Sequence, residues 1–161
     1  LDQSVGLELK KSKLTLSLAE SLSGGIISHR LNQLTGSWLF FNTGVVCYDI
    51  LSKIQFCGVS PKTVQKQGEM SRDVAIEMAV GLKQKTKSDL SISNLGIAGP
   101  ASEEYAAGVV GKAFIACAFK DEVKIKHYQF HGSRSDIQVK SAQATLMLLK
   151  QWLISQKGFK N

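Results

Sequence analysis

The sequence predicts an α/β fold: a single three-layer α/β/α sandwich around a mixed sheet. Three observations carry that reading. Apolar, strand-like runs alternate with helical stretches through most of the chain, which is the pattern of parallel strands joined by helices. Two strand-like runs, Val109 to Phe119 and Val123 to Phe130, then follow each other with only a turn between them, so an antiparallel hairpin joins the sheet. Finally, 161 residues at 43% hydrophobic content bury a core without disulfide or metal staples. One domain over residues 1–161 is expected.

The elements follow in order. Lys13 to Glu20 places Leu14, Leu16 and Leu18 on one side and reads as a strand. Ser21 to Gly25 leads into a helix over Ile26 to Leu34, which Gly36 closes as a left-handed cap. Thr43 to Tyr48 is short, apolar and β-branched, a buried strand. Asp49 caps a helix carrying Ile50, Lys53 and Ile54 that stops at Gly58, and Pro61 opens a brief helix at its favoured first position. Ser71 caps the clearest helix, Arg72 to Lys85, with Val74, Ala75, Met78, Ala79 and Leu82 as its apolar stripe. Leu90 to Leu95 is the next strand. Gly96 to Pro100 and Ala101 to Ala107 are loop, and the hairpin turns at Asp121-Glu122. After His131 to Arg134, a last helix runs from Asp136 to Trp152.

Composition excludes several classes. Charged residues at 20% and only 2 prolines rule out wholesale disorder. The formal charge of +7 is dispersed over Lys10 to Lys13, Lys83 to Lys87, Lys120 to Lys126 and Lys150 to Lys160. With no aromatic interleaving, it reads as a solvated surface, and a nucleic-acid partner is unsupported. Cys47, Cys57 and Cys117 have neither CxxC nor Cys/His spacing, which argues against a disulfide framework and a metal site; buried thiols in a reducing compartment are expected. No apolar run reaches span length and the start LDQSVGLELKK lacks signal-peptide architecture. A cytoplasmic location and no membrane partner are expected.

Three constellations carry possible chemistry. Glu20-Ser21-Leu22-Ser23-Gly24-Gly25 sets hydroxyls and unpaired N–H groups at a helix N-terminus, where charge and dipole favour an anion; a simple helix cap explains the same residues equally well. Tyr48 at a strand end and Lys53 one turn into the next helix can meet above the sheet edge, and a desolvated lysine can act as a general base. Gly132-Ser133-Arg134 places an arginine before a helix, suited to phosphate or carboxylate. Of the three histidines, His131 alone lies beside such a loop.

Taken together these loops resemble the CinA C-terminal domain family, the nicotinamide-nucleotide amidases. Ala19 to Gly25 is similar to the family's AES-x-[ST]-GG motif. Gly36-Ser37, then Gly44-Val45-Val46 with Tyr48 and Lys53, then Gly96-Ile97-Ala98-Gly99-Pro100, Gly108, and Phe130, Gly132 and Arg134 match later blocks in order, from Lys13 to Leu153. The resemblance implies hydrolysis of nicotinamide mononucleotide to nicotinic acid mononucleotide and ammonia, without cofactor or metal, commonly in a homo-oligomer. It implies Tyr48, Lys53 and Ser37 as the catalytic candidates. Glu20, Ser21, Ser23, Gly24, Gly25, Gly96, Ala98, Gly99 and Arg134 are the ligand-binding ones.

The chain departs from the family pattern where a second serine, taken as the nucleophile, follows Gly-Ser: here Trp38 stands. Leu95 replaces a Thr or Ser before Gly96, and Ser133 an Asp before Arg134. An indole has no nucleophilic oxygen. The expectation is therefore impaired hydrolysis, with Trp38 at the pocket mouth or in a subunit contact and residual binding of a phosphate-bearing ligand through Ser23 to Gly25 and Arg134. The alternatives are an active enzyme using Ser37, Ser21 or Ser23, and a non-catalytic nucleotide- or protein-binding module.

Overall fold

The computed structural model describes residues 1–103 and 106–157. Its five strands are β1 (Leu16–Glu20), β2 (Phe41–Val46), β3 (Leu90–Gly96), β4 (Lys112–Phe119) and β5 (Glu122–Gln129). Its helices are α1 (Asp2–Ser12), α2 (Ile26–Asn32), α3 (Ile50–Cys57), α4 (Pro61–Gln67), α5 (Arg72–Thr86) and α6 (Arg134–Lys157). The strands lie in the order β2-β1-β3-β4-β5. β1 is parallel to both β2 and β3, whereas β4 runs antiparallel to β3 and β5. The mixed three-layer sandwich expected from the sequence is present.

Period-two alternation decides which side chain meets which layer. On β1, Leu16 and Leu18 enter a core with Val5, Leu9, Ile27, Leu31, Leu146 and Leu149, drawn from α1, α2 and α6. Ala19 faces the other way, into a core built on α5 through Val74, Ala75, Met78 and Leu82. Small residues on that second face let α5 sit close: the Ser93 hydroxyl donates to the Ala75 carbonyl at 2.6 Å. Both central strands are covered on both faces, so every residue of β1 and all but Gly96 of β3 are buried.

Several boundaries differ from expectation. α1 was not anticipated: only Val5, Gly6 and Leu9 are buried along its length, a stripe too narrow to register as amphipathic. β2 begins at Phe41 and ends at Val46, so Tyr48 stands in the connection to α3, not on the strand. The hairpin turns at Lys120-Asp121, since Phe119 pairs with Glu122, and Lys120 supplies the left-handed φ of 49°. α6 begins at Arg134, two residues early, because Ser133 and Asp136 form a capping box: Ser133 N donates to Asp136 Oδ2 at 2.9 Å and Asp136 N to Ser133 Oγ at 3.2 Å. The loop expected over Ala101 to Ala107 includes residues 104 and 105, and the basic stretch Lys150 to Lys160 includes 158–160; these lie outside the described residues.

Candidate active site

β1 has β2 on one side and β3 on the other, so the chain reverses its direction of travel across the sheet at β1. Loops leaving the carboxyl ends of strands at such a switch point diverge and open a crevice. A cleft of about 450 Å³ lies there. Ser21 and Leu22 line it from the exit of β1, Tyr48, Asp49 and Ile50 from that of β2, and Gly96 to Pro100 from that of β3. Glu69, Met70, Ser102 and Arg134 complete the wall. Of the candidate residues, the structure thus brings Ser21, Tyr48, Gly96, Ala98, Gly99 and Arg134 together.

Arg134 organises the rim. Its Nη2 donates to the Tyr48 hydroxyl at 3.0 Å and its Nη1 to the Gly99 carbonyl at 2.5 Å. One guanidinium therefore joins the β2 exit, the β3 exit and α6, and it has further donors left for an anion. Gly99 has φ +80°, and a Cβ there would meet Val110 Cγ1 at 2.7 Å, so only glycine fits without strain. Among the described residues the amide N–H groups of Ala98 and Gly99 have no hydrogen-bond partner. They are donors at the cleft wall.

Ser21 sits at 5% exposure just past β1. Its backbone N–H donates to the Asn94 carbonyl at 2.9 Å, while its Oγ has no hydrogen-bond partner among the described residues. Asn94 went unremarked in the sequence, yet it builds this corner. Its Oδ1 accepts from Ser23 N at 3.0 Å and its Nδ2 donates to Thr145 Oγ1 at 2.8 Å. An amide side chain within a buried strand was the available signal.

Lys53 is fully buried beneath the β2 exit, and its Nζ donates to the Tyr48 carbonyl at 2.9 Å. Desolvation is the main influence on it and pulls its proton affinity below that of an ordinary lysine, against the opposing pull of Glu69. The expected Tyr48–Lys53 meeting is thus through the main chain. The phenol itself turns to Arg134.

The structure places the remaining candidates outside the cleft lining. Glu20 turns away from the cleft: its carboxylate accepts from Ser23 Oγ at 2.7 Å, from the N–H groups of Gly25 and Ile27 at 3.0 Å each, and from Ser28 N at 2.8 Å. The amides at the N-terminus of α2 are therefore already neutralised by an internal anion, and Ser23, Gly24 and Gly25 do not line the cleft. Gly24 and Gly25, at φ +61° and +97°, shape the turn that wraps this carboxylate. Ser37 lies before β2, at the opposite end of the sheet from Tyr48. Six residues of strand separate the two ends, about 16 Å at ~3.3 Å per step, and the Ser37 hydroxyl donates to the Asn32 carbonyl at 3.4 Å. Trp38 is beside it and 80% exposed, so it neither fills nor guards the cleft. Leu95 is fully buried against α5, and His131 is absent from the lining.

An open crevice at a sheet switch point, with a serine hydroxyl, an arginine–tyrosine rim and a desolvated lysine below, is the candidate site of this α/β fold. The CinA C-terminal domain family matches residues 1–153, and the chain belongs to that family. It is similar to CinA-like proteins from Syntrophus aciditrophicus, at 38% identity over 95% of this chain and 36% of the relative, and Geotalea daltonii, at 36% identity over 97% and 38%. The chain spans little more than a third of the length of these relatives. Among solved structures, a CinA superfamily protein from Enterobacter cloacae matches at TM-score 0.88 and 27% identity, over 94% of this chain and 89% of that one. Another from Klebsiella pneumoniae shares the fold at TM-score 0.90 and 22% identity, over 96% of each chain. Among the described residues no group of His, Cys, Asp or Glu is arranged to hold a metal ion, and no helix is long and apolar enough to cross a membrane.

Proposed function

We propose that this domain is a serine amidohydrolase acting on the carboxamide of a phosphate-bearing pyridine nucleotide such as nicotinamide mononucleotide, with Ser21 as the nucleophile. The observation that carries the reading is the unpartnered Ser21 hydroxyl in the same cleft as Tyr48 and Arg134. Ser37 lies at the wrong end of the sheet, and Ser23 donates to a buried carboxylate. Neither competes with Ser21 for the role. Because Trp38 stands outside the cleft, it supplies no ground for lost turnover.

In this scheme Ser21 Oγ attacks the carboxamide carbon and gives up its proton to the base. Lys53, whose proton affinity is lowered by desolvation, is the base beneath the loop, and the Tyr48 hydroxyl relays the proton above it. The Ala98 and Gly99 N–H groups stabilise the oxyanion. Arg134 holds the phosphate end. The base passes that proton to the amide nitrogen and ammonia leaves; water, losing a proton to the same base, then attacks the acyl carbon, and the proton returns to Ser21 Oγ as the acid is released. No hydrogen bond joins Ser21 to Tyr48 or Lys53 among the described residues, so substrate binding has to close that gap. The same open gap favours a second reading, a non-catalytic nucleotide-binding module.

Ammonia release from nicotinamide mononucleotide, measured beside a calorimetric titration with the same compound, separates the two. Turnover supports the amidase; heat of binding without ammonia supports the module. In the same proposal the protein works in the cytoplasm as a homo-oligomer, with the exposed Trp38 and Leu39 as contact surface.

A further inference from the structure

Two of the three cysteines are neighbours. Cys47 follows β2 and Cys57 ends α3, and their sulfurs lie 3.4 Å apart in a thiol–thiol hydrogen bond. Both side chains are buried, between chain neighbours that are exposed. Val46 and Tyr48, which flank Cys47, are 53% and 67% exposed, and Phe56 beside Cys57 is 50% exposed. Lys53 lies between them in sequence, on the helix that Cys57 ends, with its ammonium on the Tyr48 carbonyl next to Cys47. The Cys57 hydrogen bond, and then the charge of Lys53, bias Cys47 toward the thiolate, while its partner's proton is held more tightly. Cys117 differs in every respect: it is buried on β4 in the opposite core, and burial pushes its thiol up to about 12.

We propose that Cys47 and Cys57 are an oxidative modification site, in which a peroxide converts the pair to an intramolecular disulfide. The Cys47 thiolate attacks one peroxide oxygen; the O–O bond breaks, a sulfenic acid forms on Cys47, and hydroxide leaves and takes a proton to become water. The Cys57 thiol then attacks the sulfenic sulfur, the new S–S bond displaces the hydroxyl, and the Cys57 proton leaves with it as a second water. Two thiols are oxidised by two electrons and one peroxide is reduced by two. The sulfurs need approach by only about 1.4 Å to reach the bonded separation of about 2.05 Å. The bridge pins the exit of β2 to the end of α3, and so fixes the segment that carries Tyr48 and Asp49 into the cleft.

The test treats the folded protein with hydrogen peroxide until the exposed Met147 is converted to its sulfoxide. Remaining thiols are then alkylated in denaturant and the tryptic peptides weighed. The expected result is peptide 31–53 joined to peptide 54–62, two hydrogens lighter than their sum, with Cys117 alkylated and the link reversed by dithiothreitol. Cys47→Ala and Cys57→Ala each abolish the link; should either variant fail to fold, the wild-type peptide map decides alone. Three alkylated cysteines once Met147 is oxidised would overturn the proposal. So would a sulfinic or sulfonic acid on Cys47 beside an alkylated Cys57, or a link that involves Cys117.

Discussion

At Glu20 a single carboxylate decides what a glycine-rich turn can do. In sequence, Glu20 to Gly25 offered both an anion cradle and a helix cap, and nothing in the residue types chooses between them. In the structure Ser23 is not the cap: the N-terminal amides of α2 donate to Glu20, because carboxylate and amides lie within hydrogen-bond reach and charge-assisted bonds outcompete water in a buried site. Glu20→Ala strands these buried donors and is expected to destabilise the domain by about 3–5 kcal/mol, a fall in melting temperature of roughly 10 °C for a chain of this size. Thermal unfolding followed by circular dichroism checks it, and a fall of only a degree or two would remove Glu20 from this role. Lys53 makes a second residue-scale prediction. Its folded proton affinity lies below the unfolded value, so the unfolded chain binds more protons as pH rises from the depressed value toward that of free lysine. Stability from this group therefore increases with pH across that window, and the desolvation penalty is fully present below it. Lys53→Met removes this slope, and denaturant midpoints at neutral and alkaline pH, compared with wild type, measure the difference.

Among the elements, those with wide apolar stripes or distinct caps were legible from the sequence. α5 has its expected Ser71 cap, with Val74 N donating to Ser71 Oγ at 3.3 Å, and buries all five residues of its stripe. α1 was not legible, since its buried face is two aliphatic side chains around a glycine. Gly6 packs against a residue remote in sequence: a Cβ there would sit 2.6 Å from Leu34 Cδ1, so that side chain would have to move. The site failed to be legible for a related reason. Motif order tells which loops exist, but strand direction tells which end each loop occupies, and Ser37 and Tyr48 bracket the same strand from opposite ends. The loop after β3 gives the element-scale test. Gly99→Ala forces a Cβ into Val110 and an L-residue into φ +80°, at about 1–2 kcal/mol for the backbone alone. It also displaces the carbonyl that anchors Arg134. The expected outcome is a melting temperature lower by a few degrees and a KM for nicotinamide mononucleotide raised several-fold; an unchanged KM would detach this loop from ligand binding.

The whole molecule is a sheet held between two separate cores, and the cleft lies where the loops of its parallel half diverge. α1 belongs to one of those cores through Val5 and Leu9 and is tied to α2 by the Asp2–Arg30 ion pair. Removing residues 1–12 uncovers that core, with two buried aliphatic side chains worth about 3–6 kcal/mol together. Lower solubility and an earlier denaturant midpoint are expected, although no cleft residue is touched. A truncated chain as stable as the full one would show that α1 is an accessory to the fold. The central claim, that chemistry belongs to the carboxyl end of the parallel strands, is tested most directly by ammonia release from nicotinamide mononucleotide by three proteins: wild type, Ser21→Ala and Ser37→Ala. The account predicts turnover by wild type, a loss of at least about a thousandfold in Ser21→Ala as for removal of a nucleophile, and no more than a twofold change in Ser37→Ala. Activity that survives in Ser21→Ala and disappears in Ser37→Ala would contradict it.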